Sequence, residues 1–289
     1  MTPLPHLTEG RRKVLKKRFL AALMAAPLGI ALAAPPAQAA PAAPAATAPS
    51  IDLGTECPPL PAGQDPALTT CMVIVVAGGS MKLGGITQEI SEEMRIVAQA
   101  TQTSVSAPLE FTNVRLSGKP MKIPGGVFGL LGYPIPAIED WPLVKIEVQP
   151  EYVGNFGFNL PSVTLDMKIG VLNTLAPEGC AIGSDQDPMK LDLGVDITGL
   201  EVVDPGDPSN PYERPTILRA PANDSTFAVP KTSGCWLLGP ITDALAGLPS
   251  ASGNNTATFD TYLALASYDS APGQSADPVQ RLKNIRSAG

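Results

Sequence analysis

The chain has 289 residues, 27 acidic against 20 basic, a net charge of −7 and a single histidine, His6. An acidic balance argues against nucleic acid and against electrostatic docking on anionic lipid. Aromatic residues make up 5% of the chain, which suits sugar stacking poorly.

The N-terminus reads as a targeting signal. Arg11, Arg12, Lys13, Lys16, Lys17 and Arg18 form a basic region, an apolar run follows from Phe19 to Ala34, and Ala37-Gln38-Ala39 supplies small residues at a cleavage spacing. That is the layout of a secretory signal peptide over residues 1–39. The run contains Pro27 and Gly29 and falls short of the ~20 residues of a bilayer span, so no transmembrane segment is expected after cleavage. Arg11-Arg12-Lys13-Val14-Leu15-Lys16 also resembles a twin-arginine signal, with Val14 where phenylalanine is usual, and both export routes stay open. Cleavage after Ala39 takes 39 residues from 289, six of the bases and one acid, and leaves 250 residues with 14 bases, 26 acids and a charge of −12. The mature chain then holds no histidine, which removes Ser-His-Asp and Cys-His catalysis, His-ligated zinc and histidine pH switching.

Residues 40–55 are a Pro/Ala-rich linker, 56–270 the extracellular body and 271–289 a polar tail with Val279, Leu282 and Ile285 at helical spacing. Cys57, Cys71, Cys180 and Cys235 are even in number behind a signal, as in an exported disulfide scaffold. Three pairings are possible, and Cys57–Cys71 with Cys180–Cys235 is favoured because each brackets a self-contained segment. The spacings include no Cys-x-x-Cys, so neither redox chemistry nor a thiolate metal site is indicated.

The body reads as mainly β. Residues 71–76 are apolar throughout and predict a buried strand ending at Gly78-Gly79. Ile86, Ile90, Met94 and Val97 fall at helical steps, so 85–99 is read as a helix against the β-rich context. Leu109-Glu110-Phe111 and Val114-Arg115-Leu116 flank a turn-like Asn113. Val144, Ile146 and Val148 alternate with polar residues, as do Val163, Leu165, Met167 and Ile169. The cleanest alternation is Met189, Leu191, Leu193, Val195 and Ile197, a half-buried strand. Short strands punctuated by Pro and Gly predict an antiparallel sandwich or barrel-like domain with two disulfides and at most one or two short helices. It forms one continuous body or two closely packed sub-domains meeting near 150–161.

The candidate site is the stretch 127–138, apolar yet broken by Gly and Pro. Phe128, Leu130, Leu131, Tyr133 and Ile135 are the candidate contacts for a lipid, an apolar ligand or a partner, against the alternative of a loop packed over the core. Gly78-Gly79-Ser80-Met81-Lys82 lacks the last glycine of a nucleophile elbow and one residue of a Ser-x-x-Lys motif, and reads as turn chemistry. Glu139-Asp140 beside Trp141, or Asp185 with Asp187, would serve a glycosidase only if two acids faced each other across a cleft. Asp185, Asp187, Asp204 and Asp207 lack the spacing of a calcium loop. No catalytic residue, cofactor or metal is indicated.

Gly179-Cys180-x-Ile182-Gly183-Ser184, Thr226-Phe227-Ala228-Val229-Pro230, Gly234-Cys235 and Leu248-Pro249-Ser250-x-x-Gly253-x-Asn255 resemble a group of secreted, disulfide-containing, β-rich proteins of actinobacteria. The resemblance covers about the last third of the mature chain. It implies a signal peptide and a β-rich extracellular domain, and no catalytic residue. The reading is an exported cell-envelope or extracellular β protein with a structural or interaction role and no enzyme activity, its partner an envelope component. The alternatives are a carrier for an apolar or lipid ligand and, behind it, a carboxylate-dependent hydrolase. An enclosed apolar cavity would favour the carrier.

Overall fold

A strand that is apolar at every position must be covered on both faces, and residues 71–76 sit in such a strand. Met72, Ile74 and Val76 face one core, while Cys71, Val73 and Val75 face a second. The computed structural model describes residues 48–104 and 107–271, which belong to the unit beginning at Ala46. The predicted signal segment 1–39, most of the predicted linker and the tail past Ala271 lie outside the described residues.

In chain order the first strands are β1 (Thr69–Leu83), β2 (Ile86–Glu89), β3 (Met94–Thr101), β4 (Glu110–Gly118) and β5 (Met121–Lys122). They are followed by β6 (Glu147–Asn159), β7 (Ser162–Leu172), β8 (Ala181–Ile182) and β9 (Met189–Val195). The last are β10 (Glu201–Asp204), β11 (Ile217–Asp224), β12 (Thr232–Ser233) and β13 (Thr256–Ser267). Three short helices accompany them: α1 (Leu53–Glu56), α2 (Gly126–Leu130) and α3 (Leu238–Ala246). The described residues are thus mainly β and antiparallel, as expected, and hold three short helices where one or two at most were predicted. Helix α3 escaped prediction because turn residues surround it and no side chain caps its N-terminus. Gly247, at φ 66°, ends it with its N–H on the Asp243 carbonyl.

All pairings are antiparallel, and the main path runs β6-β7-β9-β11-β13-β1-β3-β4. Twist and curvature bring its two ends together into a barrel-like body. Phe111 of β4 meets Phe156 of β6 edge to face, with centroids 4.9 Å apart, and Gln149 Nε2 of β6 donates to the Gly118 carbonyl of β4 at 2.9 Å. Side chains rather than a ladder make this seam.

Two local expectations are overturned in β1 and its neighbours. The strand does not stop at Gly78-Gly79 but passes through a bulge there and continues to Leu83. Gly79 sits at φ 109°, and a Cβ would lie 2.0 Å from the Thr258 carbonyl, so glycine permits both the kink and the close approach. The predicted helix over 85–99 is instead β2, a turn and β3. The helical spacing was a coincidence of two strands: Ile90 and Met94 enter the first core, whereas Val97 enters the second. Likewise Asn113 is a positive-φ residue (46°) inside one strand, β4, and not a turn between two. The alternating strand from Met189 ends at Val195, and Ile197 beyond it is exposed.

Both disulfides form as favoured, Cys57–Cys71 and Cys180–Cys235. The first fastens the segment 48–60 over the outer face of β1, where Ile51 and Leu53 pack with Tyr212, Tyr262 and Tyr268. Gln99, fully buried between them, donates to Tyr268 Oη at 2.7 Å and accepts from Asn113 Nδ2 at 2.7 Å. Residues 150–161 lie in β6 and its turn into β7.

The Leu248-to-Asn255 motif is organised by Asn255, which is 0% exposed. Its Oδ1 accepts from Gly84 N at 2.9 Å, and its Nδ2 donates to the Phe227 and Ala251 carbonyls, both at 3.0 Å. One amide therefore ties the end of β1 to the segment that closes the barrel. Replacement Asn255→Ala removes the partner of the Gly84 N–H and of the Phe227 and Ala251 carbonyls and is expected to cost about 3 kcal/mol. Urea denaturation followed by circular dichroism checks this, and a loss below about 1 kcal/mol would show that the amide is dispensable.

Candidate functional site

The inward positions of the strands are apolar but for two, and they do not fill the space they enclose. An apolar cavity of about 150 Å³ runs inside the barrel. Ile74, Val76, Met81 and Leu83 of β1 line it on one side, and Val163, Leu165, Met167 and Ile169 of β7 on the other. Leu191 and Leu193 of β9, Ala220 and Ala222 of β11 and Phe259 and Leu263 of β13 complete the wall. The strict alternation explains this lining: Lys190 and Asp192 point outward from β9 while its leucines point in. Transmembrane barrels show the reverse, with apolar residues outside.

The two ends differ. At one, Leu248, Phe227, Val229 and Ala246 of α3 pack into the core, joined by Ile123 and Ile146. The Cys180–Cys235 disulfide ties the segment carrying α3 to the loop after β7. At the other end Leu160, in the β6–β7 turn, and Leu200, before β10, line the cavity while 50% and 45% exposed. That end is the mouth.

No charged side chain lines the cavity. Its polar side chains are Gln88 and Thr261, and the Thr261 hydroxyl donates to the Ala220 carbonyl. Gln88 Nε2 donates to the Glu89 carbonyl at 2.7 Å and the Lys122 carbonyl at 3.4 Å. Gln88 Oε1 is buried without a hydrogen-bond partner.

The predicted ligand-contact residues lie elsewhere. Phe128 and Leu130 are half-buried in α2, and Leu130 packs on the core from outside the cavity. Leu131, Tyr133 and Ile135 are exposed, Tyr133 to 76%. The first half of 127–138 thus covers the core and its second half faces solvent. None of the five lines the cavity. The lining residues were legible only as strand alternation, and Gln88 carried no signal because its segment was read as helix.

The loop is held by charge. Lys122 Nζ lies 2.7 Å from Glu139 Oε1 and 2.6 Å from Asp140 Oδ1, and Glu139 Oε2 accepts from Gly125 N at 3.0 Å. The Lys122 ammonium and then the Gly125 N–H hold the Glu139 carboxyl below its ordinary 4.5. The same contacts, Asp140 first, raise Lys122. Glu139 and Asp140 therefore converge on one cation and do not face each other across a cleft. Asp185 pairs with Lys168 at 2.7 Å, while Asp204 and Asp207 close turns onto Gly206 N and Ser209 N. Among the described residues no group of three or more His, Cys, Asp or Glu is placed to hold a metal ion. Residues 78–82 lie within β1, with Met81 directed into the cavity, so no strand-turn-helix elbow presents Ser80.

A carboxyl whose folded value is lowered contributes stability above its unfolded value and loses it as pH falls through the folded one. Acidification through that range is expected to release the 125–144 loop while the barrel strands stay protected. Hydrogen exchange corrected for intrinsic rate checks this, and Glu139→Gln should make the loop's protection independent of pH there. Comparison with protein-family models and with curated proteins finds no match for the chain.

Proposed function

We propose that this protein is an exported, non-enzymatic carrier or binding protein for an apolar or lipid ligand held inside the barrel. The observation that carries the reading is the apolar cavity inside the barrel, with exposed leucines at one end. Well-packed domains hold few voids larger than a water molecule, and a dry cavity of ~150 Å³ lined by Leu, Ile and Phe takes up small apolar molecules such as benzene. Met81, Met94, Met121 and Met167 in the lining add adaptability, since thioether side chains re-pack readily around a guest. Formed disulfides and the resemblance to secreted actinobacterial proteins support an extracellular or envelope location. No helix among the described residues is long and apolar enough to cross a membrane.

A structural or interaction role in the envelope is the second reading. It is favoured by Trp236 and Leu237, 85% and 87% exposed beside the Cys180–Cys235 disulfide, with Ile241 on α3. Such a surface fits a partner of the envelope.

The two readings separate on the cavity. An apolar fluorescent probe is expected to bind the full chain with one site, and Ala220→Leu, which extends a side chain into the cavity, is expected to weaken it about tenfold or more. Fluorescence titration measures both, alongside mass spectrometry of the organic extract of protein purified from its native source. Binding unaffected by Ala220→Leu would place the probe on the surface and favour the interaction role.

A further inference from the structure

Gln88 is an anomaly in this interior. It lies 7% exposed on β2, lines the cavity, and has its Oε1 buried without a partner. Both groups that its Nε2 meets are carbonyl oxygens, of Glu89 and Lys122. Exchanging the amide oxygen and nitrogen would set oxygen against two acceptors, so the free atom is the oxygen and its orientation is fixed by its neighbours. A buried acceptor left unpaired costs free energy, and an apolar residue of the same shape would avoid that cost. Gln88 lines the cavity, so a small displacement of its side chain as a guest arrives would present this oxygen to a donor that the protein does not supply.

Its position is also informative. Gln88 reaches Lys122, which pairs with Glu147 at the start of β6, whereas Leu160 at the mouth follows the far end of that strand. The acceptor thus lies deep, at the closed end, and a guest entering past Leu160 meets it with its leading end. The cavity offers this guest no cation and no free N–H donor: Gln88 Nε2 and the Thr261 hydroxyl are both engaged. A carboxylate or phosphate at the leading end would lose its hydration with no compensating partner and would confront an acceptor.

Resting on the carrier reading, we infer that the ligand is a neutral, slender, single-chain lipid whose buried end carries one hydrogen-bond donor, a hydroxyl or an amide N–H, received by Gln88 Oε1. The class includes alkyl alcohols and excludes free fatty acids in their ionised form.

The test compares three molecules of nearly equal size matched to the cavity: n-hexanol, methyl pentyl ether and hexanoate at neutral pH. Each competes with an apolar fluorescent probe on the full chain. Burying a hydroxyl without a partner is unfavourable, so preference for the alcohol reports a hydrogen bond rather than hydrophobicity. The alcohol is expected to bind about fivefold more tightly than the ether, with hexanoate weakest. In Gln88→Met the alcohol's advantage is expected to fall within about twofold while ether affinity persists. The Gln88 side-chain amide resonances of the unsubstituted protein should shift with hexanol and not with the ether, which keeps the test valid if the variant misfolds. Equal binding of alcohol and ether to the unsubstituted protein, or a preference that survives Gln88→Met, overturns the inference and leaves the carrier reading intact. Failure of probe, alcohol and ether alike to bind overturns both.

Discussion

The structure depends on β1 being buried on both faces. An apolar strand with only one covered face would expose a row of Val and Ile; here one row enters the barrel and the other lies under the segment that Cys57–Cys71 ties down. Because β1 is the strand to which both β13 and β3 pair, it also sets the curvature of the sheet. The bulge at Val76–Gly78 and the positive φ of Gly79 bend it, and a bent central strand lets β4 and β6 approach closely enough for Phe111 and Phe156 to meet. The cavity follows from the same bend. A flat sheet would have stacked its inner side chains against a second layer, whereas a closed one leaves its axis only partly filled.

Much of this fold was legible because burial imposes a period of two on each half-exposed strand. Met189, Leu191 and Leu193, with Val163 to Ile169, were read as strands and pack against each other in register, Leu193 opposite Val163 and Leu191 opposite Leu165. The same logic failed where both faces are covered. In 94–100 every position but Arg95 is buried, the period of two disappears, and spacing across a turn mimicked a helix. Gly78-Gly79 misled for a related reason: glycines punctuate chains at turns, but in a barrel they also mark bends within a strand. Helix α3 is short, uncapped by a side chain and held mainly by what it covers, so its local sequence says little.

The candidate site was less legible than the fold. Phe128 to Ile135 drew attention because an apolar run broken by Gly and Pro is conspicuous in one dimension. A cavity is not. It is assembled from single inward residues of many strands, each of which looks like ordinary core, and only closure of the sheet shows that they do not meet. Gln88 illustrates this sharply. A lone glutamine between Thr87 and Glu89 reads as a polar surface residue, and its burial follows from β2 folding back on β1 with Gln88 opposite Met81.

The two ends of the barrel are built by different physics, and that asymmetry gives the interior a direction. Hydrogen bonds, a disulfide and buried side chains converge on the closed end: Asn255 gathers four backbone groups, Cys180–Cys235 spans 55 residues, and Lys122 pins the α2 loop through Glu139. Each must be broken for that end to open. The mouth is held differently, by the Val195 N–H on the Pro161 carbonyl at 2.7 Å and the Asp196 N–H on the Pro221 carbonyl at 3.0 Å. β9 and β11 pair over two positions only, Ala222 with Val195 and Asn223 with Gly194, before β10 takes over the edge of β11. The ladder between β9 and β11 is short and no disulfide crosses it, and segments held in that way open at the low end of a protein's stability range. On the carrier reading, entry and exit of a guest are therefore expected past the leucines, opposite the end that holds Gln88.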